Sequence, residues 1–511
     1  MEATNQSIRP GIPGIRPFWN DHSYRFIYAP AFRFETVNNA FEYRFTLHSE
    51  DGNTHQFTAD EPWAPLTPVW NDIPHGRTEV KVEGINENGE VVGVAGERVF
   101  FREAVYRGPY NEPTPVSYTE AGKRGLRALL EQRKFQYWLE TGEPDPDCSP
   151  YCYPSKEMGA AIRGMAAYAG IADDADEARD ALKIAQIIAD YVIDKLSIPE
   201  GQPLEYLPLV YWVNPLSEVK NQVNVAVNRH NQMMMSEPTR AGLGYLDLYD
   251  ATKEKRYLEA AVRMARTYAK IKRTDGTWPI VLHRDTGEEI ESKPMIPTWL
   301  MFFVDRLVEQ YGYTEFKELR QEIEQWIVDH PVKNFHWDAQ FEDIKIRAPY
   351  EKMSYEQASD MAWYYALKSK ERPELMETAD ELLRFVEDQF VVWERPTDGW
   401  KVMGLRGTVD DTWQDRRIEN WITPAVIEQY HFFIVSRATA FVLRAYGKAY
   451  EVTGNEIYRD KARSLGNTLI LAQEAHGGGE IPTFPMPTKN NVWTNNSVYT
   501  ALYLLELGAI V

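Results

Sequence analysis

The sequence predicts a mainly α protein: a toroid of six helical hairpins, an (α/α)6 barrel, carrying a small immunoglobulin-like β-sandwich at its N-terminus. Three observations predict it. The hydrophobic period changes from two to about 3.6 near Ser117. Beyond that point, amphipathic segments with charged outer faces alternate with segments rich in small residues. The connections between them alternate too, short after one kind and long after the other.

The β part comes first. Tyr24, Phe26 and Tyr28 fall on every second residue, as do Phe41, Tyr43 and Phe45. Val80 and Val82 alternate with Glu79, Lys81 and Glu83, and a last run goes from Val91 to Phe101. Turn clusters at Ser49–Asn53, Pro74–Gly76 and Asn86–Gly89 separate these runs, as in a small sandwich. The loop Glu61–Asp72 is rich in tryptophan and proline, which suits a filler of an interface better than a site. Arg107–Val116, with three prolines, reads as a linker. The expected division is therefore a sandwich over 1–107, a linker over 108–117 and the helical barrel over 118–511.

Outer helices are expected near Tyr118–Glu140, Asp174–Ser197, Lys255–Lys272, Glu315–Asp329, Glu374–Phe390 and Glu456–Gln473. Inner helices are expected near Lys156–Ala169, Pro238–Tyr249, Pro297–Tyr311, Ser354–Leu367, Phe432–Tyr450 and Asn496–Leu507, where Gly159, Gly164, Gly242, Gly244, Ala358 and Ala362 permit close packing. A weak repeat marks two of the inner-to-outer passages. Tyr249-Asp-Ala-Thr252 with Tyr257 and Ala261 recurs as Tyr450-Glu-Val-Thr453 with Tyr458 and Ala462.

Loop length then locates a site. Inner-to-outer connections such as Thr252–Glu254 are tight, whereas outer-to-inner ones are long: 141–155, 198–237, 273–296, 330–353, 391–431 and 474–495. All the long loops should emerge on one face, at the N-termini of the inner helices, and loops of that length usually bind or catalyse. Helix N-termini at that mouth favour anions.

Composition narrows the chemistry. With 43% hydrophobic residues in 511 and no long apolar run, the chain should be globular, without a membrane partner. A net charge of −20 without a basic, aromatic-laced cluster excludes nucleic acid as the expected partner. Met1–Pro13 lacks an apolar signal core, so a cytoplasmic protein is expected, or a periplasmic or secreted one whose leader has been removed. Cys148 and Cys152 suit a local disulfide or two free thiols better than zinc. No phosphate loop, nucleophile elbow, zinc-protease motif or dinucleotide fingerprint occurs, and no cofactor or metal is expected.

The loops and adjacent helix starts are loaded with aromatics, including Trp278, Trp337, Trp421 and Trp493. Sugar rings stack on such side chains, so a carbohydrate ligand is expected. Glycoside cleavage needs two carboxyls of separated pKa. Glu237, in Ser236-Glu-Pro-Thr-Arg240, is the first candidate, against a plain helix-capping role. The segment Asn334–Asp343 adds His336, Asp338, Glu342 and Asp343. Asp360 lies inside an inner helix whose start, Ser354 with Gln357, fits a capping box; burial would bias its carboxyl toward the protonated form. Arg240, Arg284, His431 and Arg437 are the basic candidates for holding an anionic sugar, or for neutralising neighbouring acids.

The β part followed by the helical barrel, with the phrases Pro-Val-Trp-Asn-Asp-Ile-Pro, Met-Ser-Glu-Pro-Thr-Arg-Ala-Gly, Thr-Asp-Gly-Thr-Trp-Pro and Gly-Glu-Ile-Pro-Thr, resembles six-hairpin glycosidase-type proteins of gut and soil bacteria, and most of all the β-glucuronidases of glycoside hydrolase family 154. The resemblance implies an exo-acting hydrolase that needs no cofactor and removes a terminal uronic acid from an oligo- or polysaccharide; an oligomeric state is compatible with it. Two other functions remain open: a uronate lyase, with Tyr350, Tyr355, His336 or His431 as base, and a carbohydrate-binding protein without turnover.

Overall fold

A computed structural model of the chain describes residues 3–217, 224–342, 353–394, 420–430 and 433–511. Asp343, Tyr350 and His431 lie outside the described residues. Two compact units divide the chain. The first comprises the described residues of Met1–Glu112, Val332–Ala339 and Arg347–Thr468; the second, those of Pro113–Pro331, Gln340–Ile346 and Leu469–Val511.

In the first unit, β1 (Arg25–Phe26), β2 (Glu42–Ser49), β3 (Thr54–Ala59), β4 (Gly76–Ile85) and β5 (Val91–Arg102) form one sheet in the order β1-β5-β4-β2-β3. β1 runs parallel to β5, and the other pairs are antiparallel. The expected sandwich is corrected in one respect: no second sheet covers this one among the described residues. Irregular chain does so instead, with Phe32, Leu66, Val69 and Trp70 packed on Phe45, Leu47, Val82 and Phe100. The covering segments are rich in proline, which cannot donate to a ladder. The alternation Tyr24–Tyr28 yields only the short β1 for a related reason. The Asp388 carboxylate takes the N–H groups of Ile27 and Tyr28, at 2.6 and 2.7 Å, so neither is available to a neighbouring strand.

Helices follow the expected alternation. In the second unit the inner helices are α3 (Gly159–Ala169), α6 (Pro238–Thr252), α8 (Thr298–Glu309) and α14 (Thr494–Gly508). α3 packs between α14 and α6, and α6 touches α8. Outer helices α4 (Ala175–Lys195), α7 (Lys255–Ile271) and α9 (Lys317–Ile327) each pack on the inner helix that precedes them. Small residues set the spacing. A Cβ on Gly159 would sit 2.8 Å from the Ala241 nitrogen, and one on Gly244 would sit 2.9 Å from the Gly159 carbonyl.

The first outer helix breaks into α1 (Tyr118–Leu130) and α2 (Arg133–Thr141). Its apolar stripe runs through Leu126, Leu129 and Leu130 but resumes out of phase at Phe135 and Trp138, so a straight helix would expose one set. A short helix, α5 (Asn224–Arg229), lies in the loop before α6. In the first unit the inner helices are α10 (Tyr355–Lys368) and α12 (Ser436–Thr453), in mutual contact, with α11 (Leu375–Phe390) against both. α13 (Glu456–Ala475) follows α12, and Tyr446 and Tyr458 stack across that hairpin.

The repeat is one local structure used twice. Lys253 and Gly454 adopt φ of 61° and 69°. Their N–H groups bond to the carbonyls of Tyr249 and Tyr450, both at 2.7 Å. Thr252 and Thr453 then accept from the N–H two residues on, each at 3.2 Å. The left-handed cap plus threonine turn makes a tight exit from an inner helix.

The long loops carry structure of their own. β6 (Gln232–Met234), β7 (Pro279–His283) and β8 (Glu289–Pro294) join two of them into a sheet in the second unit, and β9 (Val391–Val392) pairs with β10 (Ala425–Val426) in the first. No helix among the described residues is long and apolar enough to cross a membrane.

Candidate functional site

Cores are apolar where nothing requires otherwise. At the N-terminal ends of the inner helices buried polar side chains accumulate instead. In the second unit these are Ser155 and Glu157 before α3, Ser236 to Arg240 at α6 apart from Pro238, Thr298 at α8, and Thr494 to Ser497 at α14. In the first unit they are Ser354, Glu356, Gln357, Ser359 and Asp360 at α10, and Ser436, Arg437 and Thr439 at α12.

In the second unit Glu237 is fully buried and pairs with Arg240, Oε2 to Nε 2.8 Å, on the first turn of α6. Its side chain makes no capping bond, so the helix-cap role expected as the alternative is not the one it fills. The Arg240 guanidinium lies 4.5 Å over the Trp299 ring. Glu342 is 2% exposed and pairs with Lys156 at 2.5 Å. Its backbone carbonyl accepts from Tyr211 at 2.7 Å and Arg229 at 2.6 Å. Glu157 accepts from the Asn495 N–H at 3.3 Å, and burial pushes its carboxyl up despite the adjacent Lys156.

In the first unit Arg437 forms a buried pair with Glu356 and stacks 4.7 Å over Phe441. Asp360 is buried on the second turn of α10. Asp338 bridges to Met353, and Ser354 to Gln429, tying the loop before α10 to the one before α12. The expected capping box is half made. Ser354 accepts from the Glu356 N–H at 3.2 Å, but Gln357 does not reach back. Tyr355 is buried, and burial pushes its hydroxyl well above the usual tyrosine range.

Several of these buried atoms have no hydrogen-bond partner among the described residues. They are Ser236 Oγ, Thr298 Oγ1, Glu342 Oε2, Thr494 Oγ1 and Asn495 Oδ1 in the second unit, and the Tyr355 hydroxyl, Gln357 Oε1, Gln429 Oε1 and Ser436 Oγ in the first. Each such atom costs about 1–3 kcal/mol and calls for an explanation.

The expected residues thus fall into two groups. Glu237, Arg240, Glu342, Trp278, Arg284 and Trp493 belong to the second unit; His336, Trp337, Asp338, Asp360, Trp421 and Arg437 belong to the first. Trp278 and Trp337 are 1% and 0% exposed, and the Trp278 indole N–H donates to the Tyr268 carbonyl at 2.9 Å. Trp421 is 7% exposed, with its ring edge-on to Phe433. Arg284 sits in the β7–β8 turn paired with Asp285, the neutralising role. Trp493 stays half-buried against Phe484, and His336 is also half-buried. Sequence reasoning missed Glu157, Glu356, Thr298 and Asn495. Their signal was position alone, each lying within one turn of an expected inner-helix start. Cys148 and Cys152 are free, and burial pushes both thiols up to about 12.

No family model matches the chain, and no curated protein matches it. Among solved structures it is similar to a family 76 glycoside hydrolase from a bovine Bacteroides thetaiotaomicron strain. Identity is 12%, over 92% of this chain and 94% of that one, at a TM-score of 0.49. It is also similar to cellobiose 2-epimerase from Spirochaeta thermophila DSM 6192, at 12% identity over 78% of this chain and 99% of that one, TM-score 0.47. A third is α-1,2-mannosidase from Trichoderma reesei, at 12% identity over 78% and 89%, TM-score 0.41. All three scores fall below 0.5, so the residues above carry the functional reading.

Proposed function

We propose that the chain is a carbohydrate-active glycoside hydrolase of the (α/α)6 kind, a β-glucuronidase-like enzyme that releases a terminal uronic acid by carboxylate catalysis, with its machinery in 118–511. The observation that carries this reading is the crowding of buried, partly unpartnered hydroxyls, amides and carboxyls at the inner-helix starts. A folded chain leaves such atoms unmatched only at a cost, and a ligand dense in hydroxyls supplies the missing partners.

Glu237 is the first member of the catalytic pair. Glu342 is the candidate for the second within the same unit, joined by Glu157, whose burial favours the protonated form a general acid needs. Arg240 reads the uronate. Its planar fork matches a carboxylate in a way lysine does not. Among the lyase candidates Tyr355 is a poor base, because a base must be deprotonated and burial holds its hydroxyl neutral.

The test compares aryl glucuronide with the matching aryl glucoside. Wild type should turn over the glucuronide, Glu237→Gln should lose at least about a hundredfold, and Arg240→Lys should lose the glucuronide selectively. Capping alone would put the stability cost of Glu237→Gln near 1 kcal/mol. Full burial against Arg240 raises it toward about 3–5 kcal/mol, so melting curves accompany the kinetics. A preference for the neutral sugar, or full turnover in folded Glu237→Gln, refutes the reading. A new ultraviolet absorbance in the product would assign the lyase instead.

A further inference from the structure

The two tryptophans at the ends of the Glu61–Asp72 loop part company. Trp70 is fully buried, bonded to the Ile27 carbonyl at 2.9 Å and stacked on Phe100. Trp63 is only half-buried and lines a cavity of about 590 Å³, together with Phe18, Phe34, Arg16, Arg33 and Glu35. Every wall residue belongs to the N-terminal sheet and its covering chain; none belongs to the helix-start clusters.

The size suits a small ligand, since such pockets run to roughly 300–1,000 Å³. The walls join flat rings to guanidinium groups. Arg33 lies 5.4 Å over the Phe18 ring and answers the Asp21 carboxylate at 2.7 Å. The Arg16 guanidinium donates to the Pro10 carbonyl at 3.3 Å, and Arg98 holds the backbone carbonyls of Asn20, Asp21 and Ser23. The surroundings therefore carry three guanidiniums against the carboxylates of Asp21 and Glu35, in a chain of net charge −20. Screening over about 8 Å at physiological salt makes that local balance decisive for a bound anion. The half-buried Trp63 ring suits the apolar face of a pyranose, and arginine suits its carboxylate.

We infer that this cavity is an accessory site for a uronate-bearing oligosaccharide, with a sugar face on Trp63 and its carboxylate on Arg16 and Arg33. The choice of an acidic sugar rests on the proposed function; the cavity does not. The site binds without turning over, and holds an acidic chain at a place separate from the helix starts.

The test titrates the full chain calorimetrically with a thio-linked, uncleavable tetrasaccharide of glucuronate and with its carboxyl-reduced counterpart. Trp63→Ala should remove one binding equivalent, and Arg16→Gln with Arg33→Gln should weaken that equivalent at least tenfold for the acidic sugar alone. Trp63→Phe, which keeps a platform, should retain it. Turnover of an aryl monosaccharide should be unchanged in all of them. If the helix-start site takes no sugar, the wild type shows a single equivalent, and its loss in Trp63→Ala still supports the cavity. Binding unchanged in the alanine and glutamine variants, with melting curves like the parent's, overturns the inference whatever the aryl glycosides show. So does equal affinity for the carboxyl-reduced sugar.

Discussion

Buried acids occur in two settings in this molecule, and the contrast separates structure from site. On outer helix α11, Glu387 Oε2 accepts from Lys461 at 2.6 Å, Tyr446 at 2.9 Å and Tyr28 at 3.3 Å, while Oε1 accepts from Trp393 at 2.8 Å. Its neighbour Asp388 serves the backbone of Ile27 and Tyr28 and the Gln389 amide. These acids staple the N-terminal chain to a helix. At the inner-helix starts, Glu237 and Glu356 also hold buried arginines, but hydroxyls and amides without partners stand beside them. Burial of charge therefore does not mark a site by itself.

The largest effect should come from breaking the structural set. Glu387→Ala leaves the Lys461 ammonium, 1% exposed, without its carboxylate, which costs about 3–5 kcal/mol. Urea unfolding should show that loss, while turnover per folded molecule stays at the wild-type level. A stable Glu387→Ala would dissolve the distinction.

Asp388 adds a pH signature. Burial, opposed by its hydrogen bonds and Arg25, pushes its carboxyl up to about 6 from the ordinary 3.8. The folded state therefore binds this proton more tightly than the unfolded chain does. The contribution is fully present below the unfolded pKa and is lost as pH rises through 6, amounting to about 3 kcal/mol over the whole titration. Asp388→Asn keeps an acceptor for the two N–H groups and should flatten that part of the stability–pH curve. An unaltered curve would remove the charge from the account.

The site set should respond in the opposite sense. Thr298→Val keeps the shape and removes a buried hydroxyl that has no partner, so it should stabilise by about 1 kcal/mol while turnover falls roughly tenfold. Lower stability with normal turnover would show that the hydroxyl is structural. The smallest effects belong to the other ends of the same helices, where Thr252→Ala and Thr453→Ala should each cost about 0.5–1 kcal/mol and leave kinetics alone. Unequal costs would break the equivalence of the two turns.

Helices and turns were legible because their causes are local. Small-residue runs named the inner helices, since close approach demands a missing or short side chain wherever it occurs. The Tyr-x-x-Thr repeat named two turns because a left-handed cap and a threonine acceptor need only neighbours in sequence. The break at Gln132 was legible in principle, as a phase jump in the apolar stripe between Leu130 and Phe135, although the segment was expected to be one helix. Loop asymmetry pointed to the ends of the inner helices where buried polar side chains lie.

The sequence by itself determined which segments are helical, which are inner, and at which ends polar groups gather, because periodicity, side-chain size and capping act over a few residues. Tertiary structure alone decided what each polar group does. Glu237 and Glu387 look alike in sequence, an acid at one end of a helix and an acid near the end of another. What each meets is contributed from elsewhere in the fold: Tyr28, Tyr446 and Lys461 converge on Glu387, and the Arg240 that pairs with Glu237 lies against the Trp299 ring. Likewise only the fold could hide Trp70 and Trp278 while leaving Trp63 half-open, because exposure depends on what packs from far away in sequence.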